Sequence, residues 1–507
     1  MTDAIDLLEF LGRGEPVRGA APWPRFVVTD GHWLALASHL ERTDWALLGL
    51  WASPGEVHAA LYQETPAEIA IATVPCPDGR FASLARARPG AGRLERAIRD
   101  LFGLVPVGNQ DLRPWLDHGQ FPVRHPLSGV ARRPINWASA EYAFLEAEGE
   151  ALHQIPVGPV HAGIIEPGHF RFHCSGETVV RLEARLGYVH KGIEAAMEGK
   201  FPADAAKPAA RISGDSTVAY GIAFARAAEA AAGTEAPARA HWLRALMAEL
   251  ERIANHIGDF GAICNDASFV LMHSRCGILR ERVLRAAELS FGHRLMMDCV
   301  VPGGVARDLG DEGRRHLERL AKRLAREVKS LERVYDGKPS LLDRTVGTGI
   351  VSAALAHRLA AGGPIGRASA RGFDARRMPA YPPYDALEFD VPVLEEGDVN
   401  ARIWLRLKEI EQSLRLVEQL LAGLPEGPLA SALPARAGEG MALVEGFRGD
   451  ILVWMRLGPD GRVERCHARD PSWFQWPLLE AAIEGNIVAD FPLCNKSFNC
   501  SYSGHDL

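Results

Sequence analysis

The sequence predicts an α+β protein: a small N-terminal α/β domain followed by a larger, mainly helical domain with a β-rich rim. Short apolar, β-forming runs divided by Pro and Gly stand near the N-terminus, whereas long helical patterns dominate from residue 215 onward. A chain of 507 residues can bury more than one core. We therefore expect domains at 1–128 and 156–507, joined by a connector at 129–155.

The N-terminal domain begins with three strand-like runs and then a helix. The runs are 45–51, 56–63 and 68–74, and the helical pattern covers Arg93 to Leu101. The following stretch, residues 101–127, is interrupted by Pro and Gly too often for a long helix. We expect it to be an extended loop.

The second domain begins near Ile155 with a hairpin at 169–187, whose turn falls at Ser175-Gly176. A strand pair at 441–457 and a short irregular tail are expected near the end of the chain. Between and after these, helical periodicity predicts six helices, at 215–232, 236–260, 274–296, 311–335, 399–423 and 473–485.

Composition excludes several classes of function. A formal net charge of −7 gives no support for nucleic-acid binding. No apolar run approaches the roughly 18–20 residues that span a bilayer, and the first residues lack a signal-peptide pattern. The eight cysteines form no Cys-x-x-Cys pair, so neither a disulfide framework nor an ordinary zinc or iron–sulfur site is expected. We expect a cytosolic location, with any membrane contact made through partner subunits.

Four stretches of the second domain carry a resemblance: 158–172 (GPVHAGIIEPGHFRF), 186–194 (LGYVHKGIE), 211–224 (RISGDSTVAYGIAF) and the tail 494–507 (CNKSFNCSYSGHDL). In this order they resemble the large subunit of group 4 nickel–iron hydrogenases, of the formate hydrogenlyase kind. They equally resemble the homologous quinone-site subunit of respiratory complex I. Further matching motifs are AELERIANH (248–256), the Arg280-Glu281 helix, PGGVARDL (302–309), DRTVGTG (343–349) and GPIGRASARGFDAR (363–376).

The N-terminal domain resembles a second complex I subunit, the 30 kDa-type one, which is often fused ahead of the large one. Glu95 and the segments 100–103, 111–114 and 125–127 carry this resemblance. It implies a docking role without a cofactor.

The resemblance also shows what is missing. Nickel in the hydrogenase family needs four thiolates from two Cys-x-x-Cys pairs, and the matching positions here are Ser213, Ser216, Cys500 and Ser503. A hard, protonated hydroxyl is a poor ligand for a late transition metal. We therefore expect no nickel–iron centre and an inert Cys500. The chain ends seven residues after Cys500, without the removable tail of many active relatives, which agrees with this expectation.

In complex I, the pocket that remains accepts a quinone, whose reduction needs proton donors. Tyr220 matches the tyrosine that contacts the quinone, and Asp266 stands at the register of the coupling aspartate. The alternatives are a buried helix tyrosine with a satisfied hydroxyl and a surface or capping aspartate.

The loop 158–172 reads more like the hydrogenase version than the complex I version. His161 matches the first complex I histidine, His169 is near the second in another register, and Glu166 resembles a proton-passing glutamate. Either Glu166 or His169 could face the cavity, and each could instead make only local bonds.

Charged residues in the core motifs form a second candidate group. Arg252 and His256 are four apart and share a helix face, and Arg367, Asp374 and Arg376 fall on a Gly- and Ser-rich stretch. The resemblance implies that they support a 4Fe-4S cluster held by a small partner subunit. A structural ion pair is the alternative.

The resemblance favours the energy-converting hydrogenase-related complexes, which lack the nickel cysteines. It implies a subunit of an NADH:quinone oxidoreductase-like enzyme on the cytoplasmic face of the inner membrane. Electrons would pass from the cluster of a small iron–sulfur partner, like the one in complex I, to a quinone or another acceptor, coupled to ion translocation by antiporter-like membrane subunits. No cofactor would belong to this chain itself. A non-catalytic scaffold and a true hydrogenase are the alternatives.

Overall fold

The computed structural model describes residues 6–119, 121–129, 142–149, 151–163 and 165–507. Most of the predicted connector, residues 130–141 and 150, lies outside the described residues, as do the first five residues. The described part confirms the α+β class, and its helices and strands place the two predicted domains against each other.

The N-terminal domain is built on a five-stranded sheet with the order β1-β3-β6-β5-β4. The three predicted strands are confirmed as β4 to β6, which pair antiparallel with Trp51 opposite His58. The predicted helix is α3, which ends at Gly103 with a left-handed φ of 75°. The elements are α1 (Leu7–Leu11), β1 (Glu15–Pro16), β2 (Ala20–Ala21), β3 (Arg25–Val27), α2 (Asp30–Arg42), β4 (Ala46–Ser53), β5 (Glu56–Gln63), β6 (Glu68–Pro75), β7 (Arg80–Ala82), α3 (Ala91–Phe102) and β8 (Val105–Val107).

The second domain opens with the predicted hairpin and continues into long helices. A strand that the sequence did not indicate, β9, pairs with the first hairpin strand. The elements are β9 (Leu152–Val157), β10 (His169–Ser175), β11 (Thr178–Arg185), α4 (Ile193–Met197), α5 (Pro202–Ala209), α6 (Thr217–Ala232), α7 (Ala238–Asp266), α8 (Val270–Phe291), β12 (Val300–Val301), β13 (Gly304–Val305), α9 (Asp311–Asp336), α10 (Pro339–Thr345), α11 (Ala353–Arg358), α12 (Gly363–Arg367) and α13 (Val399–Gly423).

The C-terminal part supplies a sheet, the helix predicted near 473–485 and the tail. The predicted irregular tail is wrong: it folds as two short buried helices. Ser501 caps the last helix by accepting the Gly504 N–H, and Asn499 ends the preceding one in the left-handed region. The elements are β14 (Gly438–Gly446), β15 (Gly449–Leu457), β16 (Val463–Arg469), α14 (Ser472–Ile483), α15 (Phe491–Phe498) and α16 (Tyr502–Asp506).

The remaining predicted helices are confirmed with shifted ends. Helix α7 runs six residues past the predicted end, to Asp266, and α8 spans 270–291 rather than 274–296. The early stop of α8 has a local cause, because Gly292 adopts a left-handed φ of 79°. Helix α6 packs on β14 and β15 and lies in the larger hydrophobic core.

The two domains share structure. The short strand β2 pairs parallel with β14, with Ala20 opposite Glu439, and so extends the C-terminal sheet. Arg25 of the N-terminal domain reinforces this contact by a 2.8 Å ion pair to Glu439. The N-terminal domain is therefore integrated with the larger one, while the exact boundaries at 128 and 156 stay a prediction. Among the described residues, no helix combines the length and the apolar character needed to cross a membrane.

Candidate functional site

The four altered ligand positions come from two segments that meet in the interior. Ser213 and Ser216 flank a short 3-10 turn, Gly214–Ser216, that leads into α6. Cys500 and Ser503 belong to the tail around α16. The hydroxyls of Ser213 and Ser501 lie 3.1 Å apart, so the turn and the tail are in direct contact.

An ion pair occupies the place between these segments. Arg448, in the turn between β14 and β15, donates from Nη1 and Nη2 to the two carboxylate oxygens of Asp215 at 2.7 and 2.6 Å. The same guanidinium donates to Ser216 Oγ at 3.1 Å and to the carbonyl of Asn499. Ser213 Oγ donates to Asp215 Oδ1 at 2.8 Å. Both serines are thus committed to a charge-assisted network.

The network fixes the charge of Asp215. Burial opposes ionisation, but the Arg448 guanidinium holds the pKa of the Asp215 carboxyl below its usual value. Although Arg448 is also buried, Asp215 raises the pKa of its guanidinium. Both groups stay charged near neutral pH.

Cys500, the remaining thiol, is not prepared for metal binding. It is buried, and its Sγ lies 4.0 Å from Gln475 Oε1. Burial raises the pKa of the Cys500 thiol well above its ordinary value, whereas a metal ligand must be a thiolate. Three hydroxyls, a protonated thiol and a guanidinium do not fit a nickel–iron centre. In the described part of the chain, no group of three or more His, Cys, Asp and Glu side chains could hold a metal ion.

Tyr220 lies one turn into α6 and is closed to solvent. Its hydroxyl donates to Asp470 Oδ2 at 2.6 Å, and its exposure is 0%. Burial, together with the neighbouring Asp470, raises the pKa of Tyr220 well above its ordinary value. The carboxylate of Asp470 also accepts the Ser472 N–H, and Gly504 packs against it so closely that a Cβ would lie 2.4 Å from Oδ2. The hydroxyl therefore has a partner within the chain, and quinone contact stays a prediction.

Asp266 is the last residue of α7 and is partly exposed. Burial raises the pKa of Asp266, while Lys496, Asn265 and His273 lower it. These neighbours do not include Tyr220 or Cys500. The structure therefore gives no direct link between Asp266 and the altered ligand positions.

The loop 158–172 places its three candidates differently. His161 Nε2 donates to the Gly168 carbonyl at 2.7 Å, and His169 Nδ1 donates to the Gly158 carbonyl at 3.2 Å. His169 lines a cleft of about 1100 Å³ beside the N-terminal domain. Glu166 Oε2 instead accepts the Ser503 N–H at 3.1 Å. Of the two residues left open by the sequence, Glu166 is the one that contacts the altered ligand positions.

The second candidate group forms a buried ionic network. Arg367 donates to Glu409 Oε1 at 2.6 Å and to Glu445 Oε1 at 2.8 Å. Arg252 and His256 lie on one face of α7, as predicted, and both approach the Glu409 carboxylate, at 3.8 and 2.8 Å. The remaining members are joined through Arg376, which pairs with Asp374 at 2.7 Å and with Glu249 at 3.1 Å.

Every side chain of this network is at most 2% exposed. Each guanidinium therefore has carboxylate partners within the chain, which is what the ion-pair interpretation requires. Support for a partner's cluster would have to act through the field of the network, and it stays a prediction.

Glu251 is a titratable residue that sequence reasoning missed. Its carboxylate accepts the N–H groups of Val218 and Ala219, at 2.7 and 3.1 Å, at the start of α6. Burial raises the pKa of Glu251 to about 8, with Asp215 adding to the shift. It lines a narrow cleft of about 10 Å³ that also reaches Asp215, which is room for about one water molecule.

This shift predicts a pH-dependent stability. Between about pH 4.5 and 8 the folded chain holds one proton more than the unfolded chain at Glu251, so stability falls as pH rises. From pH 6 to 7 the free energy of unfolding should fall by about 1.4 kcal/mol more in the wild type than in Glu251→Gln. Denaturant unfolding of both proteins at the two pH values measures the difference, and parallel pH profiles would contradict it.

Comparison with known proteins identifies the family. The profile of the respiratory-chain NADH dehydrogenase 49 Kd subunit matches residues 268–437, and that of its 30 Kd subunit matches residues 32–130. The nickel-dependent hydrogenase profile matches residues 191–264. Formate hydrogenlyase subunit 5 of Escherichia coli (strain K12) is 31% identical over 82% of this chain and 75% of its own length.

The chain belongs to the family shared by these hydrogenase large subunits and the quinone-site subunit of complex I. Two further relatives agree: the carbon monoxide-induced hydrogenase of Rhodospirillum rubrum is 31% identical over 69% of this chain and 98% of its own length. An NADH-quinone oxidoreductase subunit of Dehalococcoides mccartyi (strain ATCC BAA-2266 / KCTC 15142 / 195) is 30% identical over 66% and 92%.

A solved structure supports the same membership of the hydrogenase and complex I family. A chain of the membrane-bound sulfane sulfur reductase, described as an archaeal respiratory membrane complex, superposes with a TM-score of 0.66 at 27% identity. It covers 70% of this chain and 98% of its own. The family frame is therefore retained around the altered ligand positions.

Within this family frame, sequence reasoning missed three residues that hold the altered site together: Asp215, Arg448 and Asp470. Asp215 had a signal, since it stands between the two serines. Arg448 had a weaker one, as a charged residue in a tight turn between two apolar runs. Asp470 had none, because its partner Tyr220 is 250 residues away.

Proposed function

We propose that the chain is the nickel-free, electron-transferring subunit of a membrane-bound, complex-I-like oxidoreductase. It would receive electrons from a 4Fe-4S cluster in a small iron–sulfur partner and pass them to a quinone or another acceptor. Antiporter-like membrane subunits would couple this transfer to ion translocation. The chain would sit at the cytoplasmic face of the membrane through these partners and carry no cofactor of its own. Family membership supports the frame of this proposal.

The ion pair of Asp215 and Arg448 carries the nickel-free part. It fills the space between the altered ligand positions with two paired charges and binds the hydroxyls of Ser213 and Ser216. A metal would have to displace the guanidinium and ionise two hydroxyls and a thiol, each of which prefers its proton at neutral pH. Hydrogen chemistry is therefore disfavoured, while electron transfer to another acceptor is not.

The acceptor needs a place to bind. Tyr220 and Asp470 are at most 1% exposed, so the isolated chain offers no open contact to either side chain. Glu166, by contrast, is exposed at the surface and contacts the Ser503 N–H. We propose that the acceptor site is completed by a partner on the Glu166 side of the altered site, with Glu166 supplying protons.

Metal analysis tests the nickel-free assignment. The purified, assembled complex is expected to contain nickel well below one atom per chain, together with iron from the partner's cluster. Elemental analysis of the complex measures both metals in one sample. Stoichiometric nickel would overturn the assignment.

Quinone-analogue binding tests the acceptor. If the acceptor is a quinone handled by these residues, the assembled complex binds the analogue and Glu166→Gln or Tyr220→Phe weakens that binding. Glu177→Gln, an exposed change in the turn between β10 and β11, is the matched control. Absence of binding in every protein would count against a quinone acceptor.

A second candidate function is a non-catalytic coupler that has kept the family frame but lost its reaction. The closed Tyr220–Asp470 pair favours it, because a substrate site is normally a pocket that a ligand can enter. Reduction of the partner's cluster, followed by spectroscopy, separates the two. A coupler leaves electrons on the cluster for every acceptor added, whereas the redox subunit lets at least one acceptor reoxidise it.

A further inference from the structure

A groove of about 680 Å³ lies between α8 and α9, remote in sequence from the altered ligand positions. Its floor is apolar, because Leu279 and Leu331 are only 2% and 4% exposed, and Ile278 stands at its rim with 55% of its surface exposed. Two parallel walls with an apolar floor are the shape that accepts an amphipathic helix.

The walls of the groove are basic. Four arginines and one carboxylate line it: Arg275 and Arg282 on α8, and Arg323, Arg326 and Glu327 on α9. Glu327 is shared by Arg282 and Arg323, at 2.9 and 2.8 Å. Within the described part of the chain, no ion pair involves Arg275 or Arg326. The formal net charge of the chain is −7, so this positive charge is local.

Exposed aliphatic side chains continue the same surface along α8. Leu271, Ile278 and Leu289 are 59%, 55% and 48% exposed, and the arginines at 275, 282 and 285 stand between them. The spacing of 271, 275, 278, 282, 285 and 289 keeps all six on one helical face. A solvated helix face would carry polar residues at the aliphatic positions, so the pattern indicates a covered surface.

We propose that this groove docks an acidic amphipathic helix of another subunit of the complex. Its carboxylates would pair with Arg275 and Arg326, and an aliphatic side chain would cover Ile278. Arg275 and Arg282 are seven residues apart, so acidic residues two turns apart on the partner, about 10.5 Å, match their spacing. The proposal rests on the proposed assembly into a complex but not on its redox chemistry, and nickel or quinone results leave it unaffected.

A photo-cross-linker tests the occupant. The complex is purified with Ile278→p-benzoyl-phenylalanine, and separately with the same change at Leu34 on α2, which is 56% exposed, as the matched control. The expected product on irradiation is an adduct between position 278 and an Asp- and Glu-rich segment of a partner subunit, absent from the Leu34 control. A phospholipid adduct, an adduct with a second copy of this chain, or no adduct at position 278 would each overturn the proposal.

Charge reversal gives a second readout. The double variant Arg275→Glu, Arg326→Glu should lower the amount of the cross-linked partner that co-purifies by about tenfold, because it replaces two attractions by repulsions. Arg86→Glu, whose side chain is 89% exposed in the N-terminal domain, is the charge-matched control and should retain the partner. Equal retention in both variants, with unchanged unfolding temperatures, would overturn the proposal.

Discussion

Arg367→Met is expected to lower the free energy of unfolding by about 3–5 kcal/mol, because it removes one partner from a fully buried ion network. Arg367 is 0% exposed, and its guanidinium contacts Glu409, Glu445 and the Phe373 carbonyl at 2.6 to 2.9 Å. Methionine fills the volume but leaves the two carboxylates without their closest cation.

The electrostatics of the network sharpen this expectation. Burial opposes ionisation of Glu409, and Arg367 is the first group that holds its pKa well below the usual value. Without Arg367, Glu409 keeps His256 as its nearest partner, at 2.8 Å. His256 is buried, and burial lowers its pKa, so it would replace the lost cation only by taking up a proton in the interior.

A surface pair supplies the control. Arg415 and Glu411 are 3.3 Å apart on α13, with side chains 55% and 45% exposed. Arg415→Met should cost no more than about 0.5 kcal/mol, since an exposed i, i+4 pair is screened by water. Urea unfolding of the two variants beside the wild type measures both effects. A loss below about 1 kcal/mol for Arg367→Met would show that the network is not held together by this guanidinium.

The fold was largely predictable because its signals are local. Helix α7 carries an apolar stripe along its length, and the β14–β15 pair consists of two apolar runs around a tight turn. The tail was misjudged because its helices have only eight and five residues. Helices this short depend on tertiary contacts and caps rather than on their own periodicity.

The altered site was predictable in part for a related reason. The loss of the thiolates can be read from Ser213, Ser216 and Ser503, since each position lies within a short motif. What replaces them cannot be read in the same way. Arg448 reaches Asp215 across 233 residues of sequence, and no local pattern indicates that pairing. Close packing of distant segments decided it.

Trp115→Ala should have the second large effect, a loss of about 3–5 kcal/mol, because it truncates a large buried aromatic side chain. Trp115 is 1% exposed, and the guanidiniums of Arg93 and Arg96 each lie 4.6 Å from its ring. Its backbone N–H is held by Asp100 at 2.7 Å. The N-terminal loop 101–127 is therefore fixed at this residue.

The consequence reaches the altered site through His505. The Trp115 indole N–H lies 3.3 Å from His505 Nε2, and His505 Nδ1 lies 2.8 Å from Asp506 Oδ1. Burial lowers the pKa of His505, which suits a neutral ring that donates from Nδ1 and accepts at Nε2. His505 belongs to α16, the helix that also carries Ser503. Loss of the indole should therefore loosen the helix that completes the altered site.

Two measurements separate this linkage from a general loss of packing. Trp115→Phe keeps most of the ring but leaves His505 Nε2 unpaired, and it should cost about 1–3 kcal/mol. Hydrogen exchange should accelerate across residues 501–507 in both variants and stay unchanged in β4 and β5, which lie on the other side of the N-terminal domain's core strands. Faster exchange confined to residues near Trp115, with 501–507 still protected, would show that the N-terminal domain does not hold the tail. If the tail loosens as expected, the fused docking domain acts as the clamp that keeps Ser503 and Glu166 in contact, which explains why one chain carries both.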